Sequence, residues 1–286
     1  EIGSGLVGSE MCIRDREERE EIYTISVIQD ENDSRYQIYR KGIDQAARTE
    51  NADIYYETAS VRNGKTDYEA AARRAQENGA EAILILASLD EEENDWIREI
   101  NQRTPVLLMG NIRTSVAGYC KIAVDYRTMG GRLAHLLQED LGEGERVQIF
   151  STQWGNKNVQ TVCKALMEEL SENGIGFRKC SRVSEVQEGS AAVLDPDGME
   201  ELLDLKPEGT ALYGLGYNDR IAEALAEGQI EGLVLVNEYD MGYQAVYYTI
   251  RRLEGKWQET YVEQESISVR PEDAYGKYEY VLFPIG

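Results

Sequence analysis

The side chains able to do chemistry gather at the ends of short apolar runs. Asp30, Asn32, Asp33 and Tyr36 follow the first run, Ser88 the third, and Gly110, Asn111 and Arg113 the fourth. Further along stand Thr152 and Trp154, then Asp195 and Asp197, then Asn218 and Asp219, and last Asn237. Carboxylates and amides make paired hydrogen bonds to vicinal hydroxyls, while Trp and Tyr stack on the apolar faces of ring compounds. As a group these residues suit a hydroxylated small molecule. Taken singly, each type also serves as an ordinary turn or helix-capping residue, so both readings stand at every position.

Catalytic residues are not expected. GxxxxGKS/T, HExxH and GxSxG are all absent from the sequence. Asp195 and Asp197 lie two apart, a spacing at which one side chain points inward and the other caps the next helix. His135 is the single histidine, so no histidine-based metal site is expected, and it reads as structural. Glu91–Glu93 follow Asp90 at a helix start, where negative charge favours the dipole. Cys12, Cys120, Cys163 and Cys180 form no CxxC pair and are too few for a disulfide scaffold. Cys163 lies on an apolar helix face. Gly3, Gly5 and Gly8 satisfy GxGxxG, but no strand precedes them, so no dinucleotide and no other cofactor is implied.

Positioning those strand-end residues requires a regular alternation of elements, and the chain supplies one. Strands are predicted at Tyr23–Ile28, Asp53–Glu57, Ala82–Ala87 and Pro105–Met109, separated by helices at Arg35–Thr49, Asp67–Asn78 and Asp90–Arg103. The run Ala82–Ala87 is continuously apolar, as expected for a strand covered on both faces. The alternation then restarts. Helices are predicted at Met129–Leu141, Lys157–Asn173, Gly198–Leu205, Asp219–Glu227 and Gly242–Leu253. Strands are predicted at Arg146–Phe150, Phe177–Val183, Ala191–Leu194, Ala211–Leu215 and Ile230–Val236. Tyr261–Val269 alternates like an edge or crossover strand. This is the pattern of doubly wound parallel sheets.

Composition narrows the partners. The chain has 286 residues, room for one large or two medium domains, and 42% hydrophobic residues to build cores. With 53 acidic against 30 basic residues the net charge is −23, which repels nucleic acid and anionic membrane surfaces. No apolar run approaches the ~18–20 residues needed to span a bilayer. The first sixteen residues, EIGSGLVGSEMCIRDR, fit no period, and the run GSEMCIRDR within them resembles translated adapter sequence. Residues 1–20 are therefore expected to lie outside the fold, with the native start and any signal or anchor belonging ahead of Glu21.

From Glu21 onward the chain resembles the type I periplasmic sugar-binding proteins, the ribose- and galactose-binding group. The resemblance rests on a polar loop and aromatic-bearing helix after the first strand, QDENDSRY, Gln29–Tyr36. It rests further on a hinge-like segment, IAVDYRTMGGRLAHLL, with Asp125, Tyr126, Gly130 and Gly131. Most specific is GYNDRIAEALAEGQIEGLVLVNEYDMGYQAV, Gly216 to Val246. The closing YVEQESISVRPED is similar to the family's last strand. There are departures. The family's ligand-binding arginine on the first helix of the second lobe falls at Gln160, its Asp-Arg pair at Gly110 and Asn111, its motif aspartate at Asn218, and its Asn-Asp pair at Pro196 and Asp197.

The resemblance implies an α/β fold of two Rossmann-like lobes with parallel sheets joined by a three-strand hinge. The first lobe would hold residues 21–124 plus 238–263, the second 125–237 plus 264–286. The implied function is that of a monomeric, extracellular or periplasmic solute-binding protein. It would take a small polar ligand, a monosaccharide foremost, for an ABC transporter permease or a membrane sensor. The expected ligand contacts are Asp30, Asp33, Tyr36, Ser88, Asn111, Arg113, Trp154, Gln160, Asp195, Asp197, Asn218 and Asn237, with Trp154 facing the opening between lobes. Two alternatives are the effector domain of a lactose-repressor-type regulator, which shares the fold, and a carbohydrate-active enzyme.

Overall fold

The computed structural model describes residues 22–30, 36–62, 65–89, 95–112, 120–142 and 144–283. The chain opens with β1 (Tyr23–Asp30), α1 (Tyr36–Thr49), β2 (Ala52–Ala59) and a short ribbon, β3 (Val61–Arg62) and β4 (Lys65–Thr66). There follow α2 (Tyr68–Glu77), β5 (Ala82–Leu89), α3 (Asp95–Asn101), β6 (Val106–Ile112) and β7 (Cys120–Val124). The second half runs α4 (Tyr126–Asp140), β8 (Arg146–Phe150), α5 (Lys157–Glu172), β9 (Gly176–Cys180) and β10 (Gly189–Val193). It continues with α6 (Pro196–Leu205), β11 (Thr210–Leu215), α7 (Asp219–Ala226), β12 (Gly232–Val236), α8 (Glu238–Leu253), β13 (Tyr261–Gln264) and β14 (Ser266–Val269).

Two six-stranded sheets result, in the orders β13-β7-β6-β5-β1-β2 and β14-β12-β11-β10-β8-β9. Every pairing within them is parallel except β12 with β14. The chain passes between the sheets three times: after β7, after β12, and between β13 and β14. Tyr261–Val269, expected as one strand, is two. Both are edge strands, one in each sheet, with Glu265 between them. Flanking that residue, Gln264 and Ser266 are buried, and Gln264 Oε1 and Ser266 Oγ have no hydrogen-bond partner. β7 carries no periodic signal, because five residues with Lys121 among them are too few to show alternation. The expected helix start at Asp90, with Glu91–Glu93, lies outside the described residues, as does the whole of 1–21.

Each sheet is covered on both faces. In β5, Ala82, Leu84 and Leu86 pack with α1 and α8, whereas Ile83, Ile85 and Ala87 pack with α2 and α3. That is why the run is apolar without interruption. In the second sheet α4 and α5 cover one face, and α6 and α7 the other. Cys163 is buried in the former layer, as its helix position implied. Each fully buried Leu or Ile contributes about 1.5–3 kcal/mol, so these layers hold the lobes together.

Two helix pairs pack closely enough to need glycine. A Cβ on Gly242 of α8 would sit 2.2 Å from the Tyr39 carbonyl oxygen, and one on Gly42 of α1 would sit 1.9 Å from that of Tyr239. In the second half, a Cβ on Gly130 of α4 would lie 2.5 Å from the Val162 carbonyl oxygen of α5. Any side chain at these positions drives one backbone off the other.

Candidate functional site

The carboxyl ends of both sheets open onto one cavity of about 480 Å³. Leu86, Met109 and Gly110 line it from the first sheet, and Leu215 and Val236 from the second. This is where open α/β sheets bind ligands, because the strands end there and helix N-termini point in.

The polar part of the wall combines four tyrosines with Gln153, Asn156, Asn158 and Asp195. Tyr36 and Tyr39 come from α1, Tyr126 opens α4, and Tyr217 follows β11. Glu238, the first residue of α8, completes the group. The rings of Tyr36 and Tyr39 meet edge to face, with centroids 6.3 Å apart and planes at 62°. Tyr217 donates its hydroxyl to the Val281 carbonyl at 2.8 Å, so what it offers the cavity is ring. Burial pushes the Tyr39 hydroxyl pKa well above the usual phenol value, and the negative charge of Glu238 pushes it further. Tyr217 is raised by the same two causes in the same order. The close approach of Gly242 to Tyr39 brings α1 and α8 together and so sets Tyr39 beside Glu238.

Of the residues expected at the site, Tyr36 and Asp195 line the cavity. Asp195 is fully engaged by the protein. One oxygen accepts from Ser151 Oγ at 2.6 Å and Thr152 N at 3.0 Å; the other accepts from Thr152 Oγ1 at 2.6 Å and Gly198 N at 2.8 Å. A carboxylate has about four acceptor positions, so no paired contact to a ligand is left. Asn218 caps α7 through Ile221 N at 3.0 Å, and its amide also donates to Glu200. Asn237 caps α8 through Asp240 N at 3.0 Å. Asp197 accepts from Gln153 Nε2 at 2.9 Å, and Asp30 accepts from the Tyr68 hydroxyl at 3.4 Å. These four lie outside the cavity lining.

Trp154 does not face the opening. Its indole N–H donates to the Cys180 carbonyl at 3.2 Å, and the Lys179 ammonium sits 5.1 Å above its ring. A half-buried indole N–H needs a partner, and here the outer side of the second sheet supplies it. Gln160 belongs to the same outer groove, with its amide donating to the Trp154 carbonyl at 2.9 Å. Ser88 and Asn111 are the next-to-last residues of β5 and β6 and pair in register. Asp33 and Arg113 lie outside the described residues.

Among the aromatic and charged lining, sequence reasoning missed Tyr39, Tyr126, Tyr217 and Glu238. The signal was one residue away each time but one: Tyr126 follows Asp125, Tyr217 precedes Asn218, and Glu238 follows Asn237. The polar residue at a strand end turns back to cap the helix, and its neighbour meets the cavity. Tyr39 shares a helix face with Tyr36 at i+3. His135 is exposed on α4, 3.7 Å from Glu139. Among the described residues no group of three or more His, Cys, Asp or Glu side chains could hold a metal.

Neither a protein-family model nor a curated protein matches the sequence. Solved structures do match in fold. A sugar ABC transporter (sugar-binding protein) from Bacillus halodurans aligns with TM-score 0.75 and 15% identity, covering 89% of this chain and 99% of that one. GanP, a glucose-galactose binding protein from Geobacillus stearothermophilus, aligns with TM-score 0.70 and 17% identity, covering 88% and 99%. A putative LacI transcriptional regulator from Bacteroides fragilis aligns with TM-score 0.71 and 11% identity, covering 88% and 98%. The fold is the two-lobe one of type I periplasmic sugar-binding proteins.

Proposed function

We propose that the protein is a solute-binding protein. It captures a small polar ligand, a monosaccharide foremost, between its lobes and hands it to an ABC transporter permease or a membrane sensor. The observation that carries this reading is the cavity walled by both lobes and by Tyr126 and Glu238 at two of the three crossings. A ligand there touches both lobes, so it favours the closed arrangement through its differential affinity. A volume of about 480 Å³ suits a small molecule. The fold likeness to proteins named for sugar binding supports the same reading. On this reading the protein binds without turnover, works as a monomer and acts outside the cytoplasmic membrane.

A regulator's effector domain is the second reading, favoured by the likeness to the Bacteroides fragilis regulator. The net charge of −23 weighs against it, because DNA is an anionic partner.

A thermal-shift screen tests the proposal. A ligand at 100 times its Kd adds about 2.7 kcal/mol, which for a chain this size raises the Tm by about 5–10 °C. The bound ligand should be recovered unchanged. If no mono- or disaccharide, amino sugar, polyol or nucleoside moves the transition, the reading fails.

A further inference from the structure

The cavity offers two kinds of surface. Half of the lining residues carry aliphatic side chains, among them Leu86 and Met109 from the first lobe and Val162, Leu194 and Leu215 from the second. Against them stand three neutral polar groups with hydrogen-bonding capacity to spare. Gln153 and Asn156 begin and end one turn, closed by Asn156 N donating to the Gln153 carbonyl at 2.8 Å, and both line the cavity. The Gln153 side-chain nitrogen donates to Asp197 at 2.9 Å, which leaves the side-chain oxygen without a partner among the described residues. The Asn156 side-chain oxygen accepts from Asn158 N at 2.8 Å, which leaves the amide N–H groups. One turn thus presents a spare acceptor and a spare donor. From the first lobe comes the Tyr39 hydroxyl, also without a hydrogen-bond partner among the described residues. Burial, and then the charge of Glu238, keep it protonated and so able to donate. Tyr36, Tyr126, Asn158 and Glu238 each already interact with other groups of the protein. Among the described residues lining the cavity there is no Lys, Arg or His.

We propose that the cleft takes a neutral nucleoside, its base among the aliphatic side chains and the polar edge of that base on the Gln153–Asn156 turn. A base has flat apolar faces, so burying it removes apolar surface from water. Its edge carries hydrogen-bond donors and acceptors next to one another, the pattern that an amide side chain reads in adenine. Across the cleft the Tyr39 hydroxyl meets the ribose, so the ligand bridges the lobes. A free monosaccharide carries hydroxyls all round, and those pressed against aliphatic side chains lose water without replacement. A nucleotide fails for another reason. Its phosphate finds no cationic side chain among the described lining residues, and it faces Glu238 and a chain of net charge −23. The inference rests on the cleft being the binding site of the proposed function and narrows what enters it.

Titration calorimetry and thermal shift test it on the unaltered protein. Adenosine, guanosine, cytidine and uridine are compared with ribose, glucose and phenyl β-D-glucopyranoside. At least one nucleoside should bind about tenfold or more tightly than any of the three controls, and its 5′-monophosphate should bind about tenfold or more weakly than the nucleoside itself. Three variants then address the contacts. Tyr39→Phe keeps the ring and loses the hydroxyl, and Gln153→Met keeps the length and loses the acceptor. Asn156→Asp keeps the cap on α5 and turns the donor into an acceptor. Each should raise Kd about threefold to tenfold with the apo Tm within a few degrees, and Asn156→Asp should also reorder the preference among the four bases. The inference is overturned if ribose, glucose or the phenyl glucoside equals the best nucleoside, if the monophosphate binds as well as the nucleoside, or if all three variants bind like the parent. Silence from the four nucleosides overturns it as well. Glucose or ribose binding would then leave the solute-binding reading standing, and the broader panel decides that reading separately.

Discussion

In the first lobe Arg251, on α8, lies between Glu254 at 2.7 Å and Glu50 at 3.1 Å, just past the end of α1. In the second lobe Arg270, just past β14, lies between Glu139 and Asp140 at the end of α4. Each lobe thus ties a late segment of the chain to the end of its first helix with one arginine between two carboxylates. The helix contacts differ. α1 and α8 meet through glycines on both sides, whereas α4 meets α5 through Gly130 alone. The consequences differ as well. α8 carries Glu238 into the cavity and holds Tyr39 there, while β14 contributes nothing to the lining. One late segment is both fastening and wall; the other is fastening only.

The largest expected effect separates these roles. Gly242→Ala should cost about 3 kcal/mol, lowering the Tm by roughly 6–12 °C, and should also weaken ligand binding by moving Tyr39 against Glu238. Gly130→Ala should lower the Tm on a similar scale with a smaller loss of affinity, since it shifts the apolar wall at Met129 and Val162 and not Tyr39 and Glu238. Calorimetric melting and ligand titration of both variants check this, and an equal loss of affinity in both would erase the distinction between the lobes.

Next in size is the second lobe's polar cap. Asp195→Ala should cost about 2 kcal/mol of unfolding free energy, because it uncaps α6 and strands Ser151 and the Thr152 donors. Denaturant titration should record that loss. Trp154→Ala and Gln160→Ala should leave Kd within about twofold, since both face the outer groove. A large affinity loss in either would place the ligand somewhere other than the tyrosine-lined cavity.

The smallest effect concerns the two arginines. Burial pushes the Asp140 carboxyl up, but hydrogen bonds from Arg270 and Tyr213 outweigh it and hold the pKa below the usual value. Glu254 is held low chiefly by its hydrogen bond from Arg251. Both carboxylates therefore add stability at pH values above about 4, where they are ionised in the unfolded chain too, and that stability is lost as pH falls through their lower folded values. Arg270→Ala should cost about 1 kcal/mol at pH 7, a value reduced by the partial exposure of the group. It should flatten the acid limb of stability against pH, and Arg251→Ala should flatten it in the same sense. Unfolding midpoints measured between pH 7 and 3 would show an unchanged limb if the pairs were idle.

Much of the fold was legible because parallel strands buried on both faces must be apolar throughout, as Ala82–Ala87 is, and helices such as α5 must keep a stripe. The strand β7 was too short to read, and the break at Glu265 is invisible because Tyr261–Val269 alternates straight through it. The site was legible only to within a residue. Asn218 and Asn237 stand where the cavity begins, yet caps and cavity compete for the same polar side chains, and the helix termini won. Composition held a further clue: 18 tyrosines against 3 phenylalanines mark a chain that uses hydroxyl-tipped rings at half-buried positions. The segment Asn237–Gln244 shows the whole pattern. Its first residue caps α8, its second faces the cavity, and Gly242 brings the neighbouring helix close.

The meeting of Gly42 with Tyr239 also bears on how the molecule is made. α8 and β13 leave the ribosome only after every strand of the second sheet but β14. Chains emerge at about 5–20 residues per second, so β8–β12 have seconds in which to associate locally while the first sheet still lacks an edge and a covering helix. Gly130 and Val162 are near in sequence and can meet early, whereas residues 42 and 239 must close a long loop, at an entropic cost that grows slowly with length. Until then Leu84 and Leu86 have nothing from α8 to pack against, and a holdase has its natural target there. Both cores wait for the end of the chain: the first for α8, the second for Val269, Ala274, Val281 and Leu282.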